Sequence, residues 1–367
     1  MDEIQSSMPV KGRGAVSNTT GRFEAHDREA ADDGWDLDDT DVAPLRTQVT
    51  METPRTIIAR NTSPDIPFDR SINPYKGCEH GCVYCFARPT HAYMGLSPGL
   101  DFESRLFAKP NAPELLEREL SNPSYTPRTM HLGSNTDPYQ PIEKKHRITR
   151  GILEVLSAFN HPVSITTKSS LVCRDIDLLA PMAAKGLVNV AISVTSLDNK
   201  LARALEPRAP TPQKRLDAMA ALSVAGIPVA VMAAPMILVL NDAELEAILE
   251  GAAEHGALAA GYILLRLPLE IKDLFAEWLD AHAPDMAAHV LSQVSETRSG
   301  AMYVSDFHTR MTGSGQRAAL LADRFALACK RLRLNQARGD GYQMDASQFR
   351  PPANLLHPKR GDQLNLL

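Results

Sequence analysis

From residue 70 to about residue 285, short β-branched runs alternate with stretches of helical period, and that alternation leaves few folds open. The expected strands are Ser71–Pro74, Thr129–Gly133, Val163–Thr167, Val188–Val194, Val229–Ala233 and Tyr262–Leu267. They are apolar nearly throughout, as strands covered on both faces must be. The stretches "NAPELLERELS", "RITRGILEVLSAF", "RDIDLLAPMAAKG", "TPQKRLDAMAALSVAG" and "NDAELEAILEGAAEHG" read as the intervening helices, the last three closing on Gly and the last opening on an Asn-Asp cap. "IKDLFAEWLDAHA" follows the final strand as a sixth helix. Right-handed crossovers wind such units into an α/β fold, a partial (βα)6 TIM-like barrel with parallel strands. Chemistry in that architecture gathers at the carboxyl ends of the strands. Polar residues cluster there: Ser134, Asn135, Thr136 and Asp137 after the second strand, Lys168, Ser169 and Ser170 after the third, and Ser193, Thr195 and Ser196 at the fourth.

The flanks differ in charge. Residues 1–50 hold 11 acidic against 5 basic residues, six of the acids between Asp32 and Asp41. With so little apolar content, residues 1–55 are expected to be a disordered acidic tail ahead of a core over 65–290. Residues 307–367 hold 10 basic against 4 acidic residues, and 300–367 are expected to form a small basic helical extension ending in "FRPP" and "LNLL". The longest apolar run, Ile227 to Leu240, is 14 residues long and broken by Pro228 and Pro235, too short to span a bilayer. The odd count of five cysteines, three of them bunched, with no charged-then-apolar leader, argues against a disulfide framework and for a reducing cytoplasm.

Those three are Cys78, Cys82 and Cys85, in "YKGCEHGCVYCFARPTH" after the first strand. A structural zinc site would need a fourth ligand, which His80 or His91 could supply. A redox thiol needs one or two cysteines, not three. A four-iron, four-sulfide (4Fe-4S) cluster held by three cysteines would leave one iron open to a small molecule.

Cys78-x3-Cys82-Val83-Tyr84-Cys85 resembles the cluster loop of the radical S-adenosylmethionine enzymes, in which the amino and carboxylate groups of S-adenosyl-L-methionine chelate the free iron. The resemblance covers roughly residues 65–285. "INPYKGCEHGCVYC", "TDPYQPIEKKHRITR" and "TKSSLVCRDIDLL" are similar to the branch named for spore photoproduct lyase, and the tail resembles a subgroup of that branch with unsettled substrates. It implies Cys78, Cys82 and Cys85 as cluster ligands, and Tyr84 and Phe86 beside the adenine. It also places Lys168 and Ser169 against the cofactor's carboxylate and Ser193 on its polar groups. Ser134, Asp137, Tyr139 and Gln140 are further site candidates in the loop after the second strand. Arg266, set among leucines in the sixth strand, should face the barrel mouth or an acid.

One departure stands out. Spore photoproduct lyase returns a hydrogen atom from a cysteine near the end of the second strand, where this chain has Gly133-Ser134-Asn135. Cys173 and Cys329 are expected to be packing residues. The resemblance implies reductive cleavage of S-adenosylmethionine to a 5'-deoxyadenosyl radical, with flavodoxin or ferredoxin as the kind of reductant. Three function classes follow. One is an enzyme acting on nucleic acid, a lyase for instance, with Arg317, Arg324, Lys330, Arg331 and Arg333 of the basic helix meeting phosphates. The second is an enzyme acting on a small molecule or protein side chain, that helix merely pairing with acidic residues. The third is a zinc- or cluster-binding protein without turnover.

Overall fold

In the computed structural model, residues 9–24, 26, 45–336 and 344–352 are described. The ten strands are β1 (Gln48–Met51), β2 (Ile58–Arg60), β3 (Arg70–Ile72), β4 (Tyr75–Lys76), β5 (Arg105–Ala108), β6 (Met130–Leu132), β7 (Val163–Thr167), β8 (Val188–Ser193), β9 (Val229–Met236) and β10 (Ala259–Leu264). The helices are α1 (Leu100–Ser104), α2 (Ala112–Leu120), α3 (Glu143–His146), α4 (Ile148–Ala158), α5 (Ile176–Ala184) and α6 (Asn199–Leu205). They continue as α7 (Pro212–Val224), α8 (Leu245–Glu254), α9 (Ile271–His282), α10 (Pro284–Glu296), α11 (Thr309–Thr312) and α12 (Gly315–Leu332).

Seven strands form one sheet in the order β10-β9-β8-β7-β6-β3-β2. From β10 to β3 every pairing is parallel, and β2 joins antiparallel at the edge. This is the partial TIM-like barrel, an arc of six parallel strands whose first and last members do not pair. All six expected strands and all six expected helices are present. The core fills the space between sheet and helices: Leu132, Ile165, Val190 and Val231 from the strands lie fully buried against Ile152, Leu179, Leu222 and Ile248 from the helices.

Three local expectations change. The last strand begins three residues earlier and ends at Leu264, because "AAG" has low strand propensity and hides its first half. Gly261 belongs there, since a Cβ would stand 2.9 Å from Met232 Sδ on β9. Arg266 therefore lies just past the strand end. The Asn-Asp pair does not cap by a side chain: Asn241 instead receives Ile237 N at 2.6 Å and donates to the carbonyls of Thr195 and Pro235 at 2.6 and 3.0 Å.

The larger correction concerns the amino terminus. Residues 45–55 supply β1, which runs parallel to β5 in a three-stranded sheet with β4. Residues 9–24 lie along the protein, with Ala15 and Val16 buried. Backbone hydrogen bonds and small residues, not apolar bulk, secure this segment. The acidic run from Asp32 to Asp41 and the terminal "LNLL" lie outside the described residues. At the other end, α12 lies against α8 and β10, with Phe325 4.8 Å from the Tyr262 ring. Phe349 of "FRPP" docks on Tyr125, Phe159 and His161. Among the described residues no helix is long and apolar enough to cross a membrane.

Candidate functional site

A cavity of about 210 Å³ opens at the carboxyl ends of the strands, and Cys78, Cys82 and Cys85 line it. All three are free thiols. Their loop is held from several directions. Cys78 N donates to Phe102 O at 3.0 Å, Val83 N to Leu205 O at 3.1 Å, and Arg208 N to the His80 carbonyl at 3.2 Å. Gln140 grips it from the far side, accepting from Glu79 N at 2.8 Å and donating to Gly77 O at 3.1 Å.

Beneath the loop lies a fully buried ion pair, Arg88 with Glu103 at 2.9 Å. Arg88 also donates to the carbonyls of Cys82 (2.8 Å) and Gly81 (3.1 Å). Glu103 accepts from the backbone of Gly14 and Ala15, each at 2.9 Å, and Arg13 donates to the Glu103 carbonyl at 2.7 Å. The amino-terminal segment is thereby tied to the back of the cysteine loop. Gly14 and Gly81 meet so closely that a Cβ on Gly14 would stand 1.7 Å from Gly81 O, and Gly81 itself takes φ +70°.

Across the cavity, Lys168 donates to Ser193 Oγ at 2.7 Å and lies 3.2 Å from Glu206 Oε1. Glu206 is buried and also receives Tyr84 Oη, Arg215 and Thr195 Oγ1, the last at 2.5 Å. Burial alone would raise its pKa, but the charges of Arg215 and Lys168 hold it well below the usual carboxylate range. One carboxylate thus receives Lys168 and Arg215 together, and Lys168 presents its ammonium to the cavity. Burial, followed by the nearby Cys82 and Glu206 charges, pushes the Tyr84 phenol up. Burial likewise pushes up all three thiols, so thiolates here call for a compensating positive charge.

The expected residues divide cleanly. Tyr84, Phe86, Ser134, Asp137, Lys168 and Ser193 line the cavity with the cysteines. Ser169 does not: its Oγ accepts from Leu171 N at 3.2 Å and caps the 3-10 turn Ser170–Asp175, a local use for a serine at a strand-to-helix junction. Asp137 joins the ends of β6 and β7, accepting from Thr167 Oγ1 (2.6 Å) and Lys168 N (2.8 Å) with His80 Nδ1 3.4 Å away. Its carboxyl stays below the usual range despite burial, with His80 the leading cause. Tyr139 is buried away from the cavity. No other thiol lines the cavity: Cys173 sits in the 3-10 turn and Cys329 in α12, both against the core.

Sequence reasoning missed Glu206, Arg215, Arg88 and Glu103. The one local signal was Arg88, three residues after Cys85. Among the described residues no three His, Cys, Asp or Glu side chains converge on one point as a single zinc ion requires. His91 is buried with Nε2 on Arg105 O at 2.9 Å and does not line the cavity. A cluster asks for no such convergence, because each of its cysteines binds a different iron.

A parallel partial barrel with a three-cysteine loop at its carboxyl mouth already defines a class, and comparison names it. Residues 72–252 match the Radical SAM superfamily. Spore photoproduct lyase complexed with dinucleoside spore photoproduct superposes with a TM-score of 0.54 at 15% identity, over 77% of this chain and 79% of that one. A variant with bound AdoMet and the same dinucleoside gives 0.55 at 14%, with the same coverage. Residues 72–252 are a radical SAM domain, and the chain has the fold seen in spore photoproduct lyase. Membership implies S-adenosylmethionine and an iron–sulfur cluster as cofactors. An uncharacterized protein of Mycobacterium tuberculosis is 39% identical over 225 residues, 61% of this chain and 66% of that protein's length. One of Methanocaldococcus jannaschii is 31% identical over 173 residues, 47% and 62% respectively.

Proposed function

We propose that this protein is a radical S-adenosylmethionine enzyme whose 4Fe-4S cluster is held by Cys78, Cys82 and Cys85. The observation that carries the reading is one cavity wall bearing three free cysteines and the facing wall bearing Lys168 and Ser193. Held by Cys78, Cys82 and Cys85, the cluster would supply the reducing electron for cleavage of S-adenosylmethionine. The chain's residues orient and exclude. Lys168 and Ser193 offer charge and a hydroxyl to the cofactor's carboxylate, Tyr84 and Phe86 offer ring surface to its adenosyl part, and the buried loop keeps water from the thiolates.

Anaerobic reconstitution with iron and sulfide, followed by a spectrum and an assay with dithionite, tests this. A brown protein that forms 5'-deoxyadenosine is expected, and Cys82→Ala should lose both colour and product. A colourless, zinc-containing protein, or undiminished product from Cys82→Ala, would overturn it. In the cell the electron would come from a flavodoxin or ferredoxin.

As to substrate, the likeness to spore photoproduct lyase favours nucleic acid, while the ion pairing of the basic helix favours a small molecule or a protein side chain. Arg324 pairs with Glu246, Arg331 with Glu250 and Arg317 with Glu296. We favour the latter. Salt-dependent retention on DNA or RNA, abolished by joint Arg331→Glu and Arg333→Glu changes, would reverse that preference.

A further inference from the structure

Arg266 lies just past β10 and lines the cavity at its mouth. The other charges on that wall are matched: Lys168 with Glu206, Asp137 with Thr167, the Lys168 backbone and His80. Arg266 is not. Among the described residues no hydrogen-bond acceptor or carboxylate engages it, although its guanidinium carries five donors. Its one defined contact is a stack over the Phe86 ring, 4.7 Å from the centroid, and that ring is 47% exposed.

Among the described residues no carboxylate forms an ion pair with Arg266. Asp65, the acid whose charge reaches Arg266, already accepts from Arg310 Nε and from His308 N at 2.6 Å. Neighbouring Arg298 donates to the carbonyls of Leu265 and Thr309 at 2.8 and 2.9 Å. Tyr303 carries no charge in its protonated form, and Cys85, a thiolate once it holds the cluster, would share its charge with the iron. Burial disfavours the Arg266 cation, and the charges of Tyr303, Cys85 and Asp65 offset that only in part. A planar fork of donors at a cavity mouth, braced on an aromatic ring, suits bidentate binding of a carboxylate or phosphate.

We propose that Arg266 binds an oxyanion of the substrate, so that the molecule taken by this cavity carries a carboxylate or a phosphate beside an apolar part. The proposal rests on the cavity being the substrate site of the enzyme proposed above. Its test is separate: titration calorimetry of the reconstituted protein with phenyl phosphate, benzoate and uncharged phenol. Wild type should bind at least one oxyanion more tightly than phenol. Arg266→Gln should weaken that oxyanion about tenfold or more and leave phenol unchanged, while Arg266→Lys recovers part of the loss. The tighter of the two oxyanions names the substrate's acid.

Equal binding by Arg266→Gln, or no oxyanion preference in wild type, would overturn the proposal. So would full displacement of the probe by S-adenosylmethionine, which would assign Arg266 to the cofactor. Loss of oxyanion binding in a protein that forms no 5'-deoxyadenosine would leave the Arg266 site standing and overturn the radical reading alone.

Discussion

The segment at residues 9–24 and the helix α12 both stood out by charge, one in an acidic flank and one in a basic one, and the fold treats them in opposite ways. The acidic flank contributes Arg13, Gly14 and Ala15 to a buried hub under the cysteine loop. The basic helix stays outside, its Arg324 and Arg331 laid over acids of α8. Net charge reports how a stretch is solvated on average. It is blind to one buried carboxylate that collects two backbone N–H groups and a guanidinium.

That contrast makes the hub the expensive place to change. Glu103→Ala would strand Arg88 without its partner in a site of no exposure, and should cost about 3–5 kcal/mol in urea or thermal unfolding together with much of the iron retained after reconstitution. A loss near that of a surface substitution would erase the distinction between the two regions. Gly14→Ala follows. Its Cβ cannot coexist with Gly81 O, so either the segment lifts or the loop shifts, at about 1–3 kcal/mol, and bound iron should fall with stability. Unchanged iron content would mean that the segment supports the fold but not the loop.

Arg324→Ala comes lower, about 0.5–1 kcal/mol, because its two contacts with Glu246 at 2.6 and 2.8 Å are partly exposed and screened by salt. Arg331→Ala should fall within about 0.5 kcal/mol, its pair with Glu250 being more exposed still. Neither should alter iron content. If either did, α12 would be acting on the cavity.

The legibility of the chain follows the same physics. β7 was readable to its first and last residues because Val163 to Thr167, β-branched at every position but Ser164, is bounded by Pro162 and Lys168. β1, β2 and β4 were not, being two to four residues long and half-exposed or shared with a turn. In the site, the cysteines and Lys168 announce themselves by spacing and by position after a strand. Glu206 does not: it lies in "LARALEPRAPTP", and only the turn between α6 and α7 brings Arg215 onto it. Ser169 misled for the converse reason, since a hydroxyl after a strand serves a cap as readily as a ligand.

The meeting of Gly14 with Gly81, beside a cavity whose mouth is completed by Arg266, also sets an order of events in time. A ribosome delivers Gly14 first, yet its berth under the cysteine loop waits on Glu103, and the cavity mouth waits on β10 far downstream. Contacts so distant along the chain form late, after loop-closure entropy has been overcome. Any iron arriving on the nascent cysteines would meet them bare, with water on the side that residues 13–15 later cover.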